Sequence, residues 1–80
     1  MNRTELYEAV NEIFQEVFDD DTLTVTEATT AADIEEWDSL EQINLLFAME
    51  QRFSIKFAVA EVEGLQNVGE MVELIESKLA

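Results

Sequence analysis

Apolar residues recur at three- and four-residue spacing through three stretches of this chain, and that period predicts helices. In the first stretch Leu6, Val10, Ile13, Phe14 and Val17 share one stripe, while Glu5, Glu8, Glu12 and Glu16 form the wet one. The pattern predicts an amphipathic helix over residues 3–18. Asn2 with Glu5 three residues on, or Thr4 alone, supplies a cap at its start. The run Asp19-Asp20-Asp21 ends it, because carboxylates are unfavourable beside the partial negative charge of a helix C-terminus.

Residues 19–37 hold no sustained period. Leu23, Val25, Ala28 and Ile34 are the points expected to tuck this segment against the helices. A connection of that length in a small domain implies an ordered crossover, with a turn of helix expected at residues 31–35.

A second helix is predicted from Ser39 to Arg52 or Phe53. Asp38 is its N-cap, and Glu41 follows three residues later as in a capping box. Its apolar residues fall on two stripes. Leu45, Met49 and Phe53, with Leu46 alongside, suit a core. Leu40, Ile43 and Phe47 are offset toward the serine. A helix roofing a small core needs one stripe, so the second is either an exposed contact surface or buried by a bundle that wraps the helix.

The period breaks at Ser54-Ile55-Lys56-Phe57, which reads as extended. Residues 58–63 form a short helical piece closed by Gly64. A last helix starts at Asn67, paired with Glu70 in the capping sense, and runs to Lys78 or Leu79. Val68, Met71, Val72, Ile75 and Leu79 make its buried face, and Lys78 suits the C-terminal dipole. The fold class is therefore all-α: one domain over residues 1–80, a four-helix bundle with three longer helices, one short helix and a long first loop.

Composition narrows the chemistry. The 80 residues are 48% hydrophobic and 29% charged, which supports one small core and no second. Without cysteine there is neither a disulfide framework nor a thiolate metal site. The opening Met1-Asn2-Arg3-Thr4-Glu5 leads into a charged amphipathic segment, and no apolar run reaches membrane-spanning length. The expectation is a cytoplasmic monomer that neither inserts in membranes nor binds nucleic acid. A net charge of −15 repels phosphate backbones and steers toward basic protein surfaces, or serves solubility alone.

Enzyme readings fail on residue types. The chain has no histidine to act as base for a serine nucleophile, and Trp37 and Glu41 stand where a nucleophile elbow has glycines. A bundle this small offers no cleft for paired carboxylates, and two glycines build no phosphate-cradling loop. Calcium-binding loops fail on spacing. A loop begun at Asp19 puts Leu23 at a ligand position and Thr30 where the bidentate acid belongs; one begun at Asp33 puts Trp37 and Asn44 there.

What remains is Ser39, a hydroxyl at a helix N-terminus. A phosphodiester formed there would meet free backbone N–H groups and a favourable dipole, worth about 0.3–1 kcal/mol at an exposed site. The serine needs no activation if another enzyme makes the bond.

Asp38-Ser39-Leu40 does not stand alone. With Leu45-Leu46-x-x-Met49-Glu50-x-x-Phe53, the short segment to Leu65 and Asn67-Val68-Gly69-Glu70, the chain resembles the acyl carrier protein family over nearly its whole length. The resemblance implies that Ser39 receives a covalent 4′-phosphopantetheine arm, whose thiol carries acyl or aminoacyl groups as thioesters. It also implies that Asp38 helps position Ser39 for a phosphopantetheinyl transferase. Leu40, Ile43 and Phe47 would then be an apolar contact for partner enzymes, rimmed by Glu41, Glu50, Glu61 and Glu63. Those partners would be a loading ligase and a downstream synthase or transferase with basic docking surfaces.

Departures from the family pattern point away from the housekeeping fatty-acid carrier. Glu36-Trp37 precedes the motif where a glycine-containing stretch is common. Asn44, Gln51 and Arg52 replace frequent acids, Ser54 stands for glycine or an acid, and Ala58 for proline. A specialised discrete carrier, itself non-catalytic, is the expectation. The alternative is an acidic helical adaptor that binds a protein through Leu40, Ile43 and Phe47 without a cofactor.

Overall fold

Asn2 starts the first helix with a reciprocal pair of bonds. Its Oδ1 accepts from the Glu5 amide at 2.8 Å, and Glu5 Oε1 accepts from the Asn2 amide at 3.0 Å. In the computed structural model, which describes residues 2–79, this helix is α1 (Arg3–Val17). A 3₁₀ turn at Ala31–Asp33 interrupts the long connection to α2 (Ser39–Phe53). The short α3 (Val59–Glu63) and then α4 (Val68–Leu79) complete the chain. No strand is present among the described residues.

Helix α1 packs against α2 and α4, and the core lies between them. Leu6, Val10, Ile13 and Phe14 of α1 meet Leu45, Met49 and Phe53 of α2 and Val68, Met71, Val72 and Ile75 of α4. Full burial of each large side chain contributes about 1.5–3 kcal/mol. The predicted stripes thus supply the core, with three corrections at its edges. Ala9 is buried while Val17 is only half so, because the stripe is centred one position earlier. Leu79, the last residue of α4, is 42% exposed. Ala28 is exposed, so the long loop is pinned by Val25, Leu23 and Ile34 without it.

Both longer helices before α4 end through the same closure. After α1, the Asp20 amide donates to Gln15 O at 3.0 Å and Asp19 takes a left-handed φ of 51°. After α2, the Ile55 amide donates to Glu50 O at 3.2 Å and Ser54 takes a φ of 56°. These bonds satisfy carbonyls that the helix itself leaves open. Gly64, expected to serve this purpose after α3, has a right-handed φ of −90°.

The long loop is fixed from both sides. Its carbonyls Thr29 O and Glu27 O accept from the amides of Val68 and Gly69 at 2.8 and 3.0 Å, capping α4. The helical turn is shorter than expected, because Ile34 already returns to extended backbone.

Candidate functional site

The second helix begins where the loop turns inward on Trp37. Its indole packs edge-on against Phe14, with centroids 5.2 Å apart and planes at 76°, and lies 6.3 Å from Phe18. Trp37 Nε1 donates to Gln42 Oε1 at 2.6 Å, tying the loop to the second turn of α2. Between these anchors Asp38 adopts extended backbone, and its Oδ1 accepts from the Glu41 amide at 2.9 Å. The expected capping box does not close. The Asp38 amide already donates to Glu36 O, and Glu41 Oε1 accepts from Asn44 Nδ2 instead.

Ser39 is the first residue of α2 and is exposed. The amides of Ser39 and Leu40 have no acceptor among the described residues, whereas those of Glu41 and Gln42 are taken by Asp38. An anionic oxygen joined to Ser39 Oγ therefore meets two free donors at the positive end of a helix dipole. No histidine exists to turn the hydroxyl into a nucleophile, and the adjacent Asp38 carboxylate is committed to the cap.

The second stripe of α2 is open. Leu40, Ile43 and Phe47 are 64%, 62% and 61% exposed, which excludes the alternative of a wrapped helix. Val59 of α3, at 72%, is a further open apolar side chain that the sequence pattern did not single out. Exposed apolar side chains thus stand on both α2 and α3.

The carboxylates read as a rim divide into two groups. Glu50 is half-buried and its Oε2 accepts from the Phe57 amide at 2.8 Å, so it holds the α2–α3 connection. Glu61 Oε1 accepts from the Ala58 amide at 2.8 Å and pairs with Lys78 at 2.9 Å. The Ala58 amide, and next Lys78, hold the Glu61 carboxyl below its usual range. Glu41 is half-buried, while Glu63 is exposed and has no ion-pair partner among the described residues. The roles of Trp37 and Gln42 escaped the sequence reading, because a bond spanning a loop and a helix start follows no period.

No group of His, Cys, Asp or Glu among the described residues is arranged to hold a metal ion. None of the described helices is long and apolar enough to cross a membrane.

Comparison with known proteins agrees with this fold. Residues 8–75 match the family described as "Phosphopantetheine attachment site". The chain is 33% identical to the acyl carrier protein of Thermotoga maritima, over 98% of this chain and 96% of that one. It is 32% identical to that of Thermosynechococcus vestitus, over 100% and 99%. The solution structure of holo acyl carrier protein from Geobacter metallireducens superposes with a TM-score of 0.87 at 43% identity, covering 92% of this chain and 85% of that one. Fold and relatives together define a phosphopantetheine-binding carrier. The chain belongs to the acyl carrier protein family, and its prosthetic group is covalently attached 4′-phosphopantetheine.

Proposed function

We propose that Ser39 is the attachment residue and that the protein is a discrete, non-catalytic carrier of acyl or aminoacyl thioesters in a specialised pathway. The exposed hydroxyl beside the unoccupied Ser39 and Leu40 amides is the observation that carries this reading. In the modification, Ser39 Oγ forms a bond to the phosphorus of coenzyme A that bears the pantetheine. The pyrophosphate P–O bond breaks, adenosine 3′,5′-bisphosphate leaves, and the hydroxyl proton passes to a base of the phosphopantetheinyl transferase. When bound, the arm supplies a thiol for thioester formation.

The residues around Ser39 do the rest. Asp38 and Trp37 hold the helix end still, so the hydroxyl meets the transferase in one geometry. Leu40, Ile43 and Phe47 form the apolar centre of the partner surface, widened by Val59. Glu63 and Glu41 stand at its acidic margin, with Glu50 and Glu61 shaping the α2–α3 connection behind it. Basic ligases, synthases or transferases suit a chain of net charge −15. Departures from the housekeeping pattern at Trp37, Asn44, Arg52 and Ser54 support the specialised role.

Incubation with a phosphopantetheinyl transferase and coenzyme A tests the reading by intact mass. The protein is expected to gain one arm and Ser39→Ala none. An unmodified wild-type chain would leave the cofactor-free adaptor as the better account.

A further inference from the structure

A groove of about 920 Å³ runs between α1 and the first loop, and none of Ser39, Leu40, Ile43 or Phe47 lines it. Its loop wall is fixed from inside the molecule. Gln15 Nε2 donates to Leu23 O, while Asn11 accepts from the Val25 amide and donates to Val25 O. Backbone groups of alternate residues point to opposite sides of an extended segment, so the amide and carbonyl of Thr24 turn away from α1. Neither has a partner among the described residues.

The lining offers more apolar than polar surface and includes the Tyr7 ring. The Tyr7 hydroxyl is buried without a hydrogen-bond partner among the described residues. Folding has already desolvated it, so an incoming group that reaches it gains a bond without that cost. Arg3 lies over the ring, with Cζ 5.9 Å from its centroid, and its half-exposed side chain can swing aside.

The rim is acidic. Glu12 pairs with Arg52 at 2.9 Å, and Arg3 faces Glu76 at 3.7 Å. Glu8 and Glu27, both exposed residues of the groove, have no ion-pair partner among the described residues.

We infer that this groove is a second docking site, which takes an extended, basic segment of a partner protein. One residue of that segment exchanges backbone hydrogen bonds with Thr24, its apolar side chains lie along the lining, and its Lys or Arg side chains meet Glu8 and Glu27. A helical segment has no open backbone groups to offer Thr24, and an acidic one would face the rim. The site does not depend on Ser39 being the attachment residue. A partner seated there leaves Ser39 and the exposed stripe of α2 accessible, so the protein can be held by one partner while a second approaches α2.

The probe is a blocked pentapeptide of alternating valine and arginine, titrated into isotope-labelled protein while backbone amide shifts are followed. Shifts are expected at Thr24, Val25, Thr26 and Glu27 and around Glu8. N-methylating one alternate set of peptide amides should abolish binding and the other set should leave it, since only one edge of the peptide meets Thr24. Glu8→Gln and Glu27→Gln should each weaken binding about threefold, the scale of an exposed ion pair. The charge-matched control Glu35→Gln/Glu36→Gln, on exposed acids outside the groove, should leave it unchanged. A peptide with glutamate in place of arginine should not bind.

Absence of shifts overturns the inference, as do shifts centred on Leu40, Ile43 and Phe47. Equal weakening by the control pair would mark attraction to net charge alone and overturns it, and so does equal tolerance of both N-methylated sets. Ser39→Ala should bind the peptide as the wild type does, so a failed titration and a failed mass gain are read separately.

Discussion

Asn11 Oδ1 accepts from the Val25 amide at 2.6 Å while its Nδ2 donates to Val25 O at 3.3 Å, so one helix side chain holds both polar groups of a buried loop residue. One turn further along α1, Gln15 Nε2 donates to Leu23 O at 2.9 Å. Helical spacing of four on α1 thereby reads an extended spacing of two on the loop. Asn11→Ala leaves the Val25 amide buried without an acceptor, and the expected loss is about 1–3 kcal/mol by urea unfolding. Gln15→Ala, whose partner carbonyl is closer to solvent, should cost less.

The ends of α2 and α3 carry residues suited to each other's backbone. Ser54 occupies a left-handed conformation that favours glycine, and Gly64 occupies a right-handed one open to any side chain. A Cβ added at Gly64 would meet nothing within 4 Å. Ser54→Gly should relieve strain and Gly64→Ala should lower unfolded-state entropy, each raising stability by up to about 1 kcal/mol. Thermal unfolding of the single and double variants checks both, and the two gains should add.

Gly69 behaves in the opposite way to Gly64. A Cβ there would stand 2.9 Å from Glu27 O and 3.0 Å from Glu27 Cβ, on the loop that caps α4. Gly69→Ala must push the loop carbonyls off the Val68 and Gly69 amides, and the expected cost is about 1–3 kcal/mol. A variant as stable as the wild type would show that the loop yields freely.

Helix positions and the core were legible because Leu6, Phe14, Leu45, Met49, Met71 and Ile75 recur with the helical period and have nowhere else to go. The place of Ser39 at the start of α2 was legible because Asp38 is a strong cap signal. The loop was not. Its order comes from Asn11, Gln15 and the Val68 and Gly69 amides, contacts between segments that no local pattern records. Glu50 was read as a rim acid for the same reason, since its amide partner Phe57 lies seven residues on, whereas the bond from the Ala58 amide to Glu61 is a local contact at the start of α3.

The tie between α3 and α4 should fail in acid. The Glu61 carboxyl is lowered first by the Ala58 amide and then by Lys78, so its folded value lies below its unfolded one. Its stabilising contribution is present above the unfolded value and is lost as pH falls through the folded one. Since α3 has no buried residue, opening should be local. Amide protection factors over residues 58–63 are expected to drop below the usual carboxylate range while those of α1 and α4 persist. Glu61→Gln should show low protection in α3 at every pH.

Phe47 and Phe14 separate docking from folding. Phe14 is sealed in the core beneath Trp37, and Phe14→Ala should cost about 3–5 kcal/mol. Phe47 stands 61% exposed between Ile43 and the acidic margin, so Phe47→Ala should change stability by no more than about 0.5 kcal/mol. On the proposed docking surface its effect would fall on partners. With a transferase acting on the apo protein, Phe47→Ala should raise KM and leave kcat nearly unchanged, because the side chain contributes binding and touches no reacting atom. A stability loss near that of Phe14→Ala would place Phe47 in the interior, and an unchanged KM would move that docking surface off the Leu40–Ile43–Phe47 stripe.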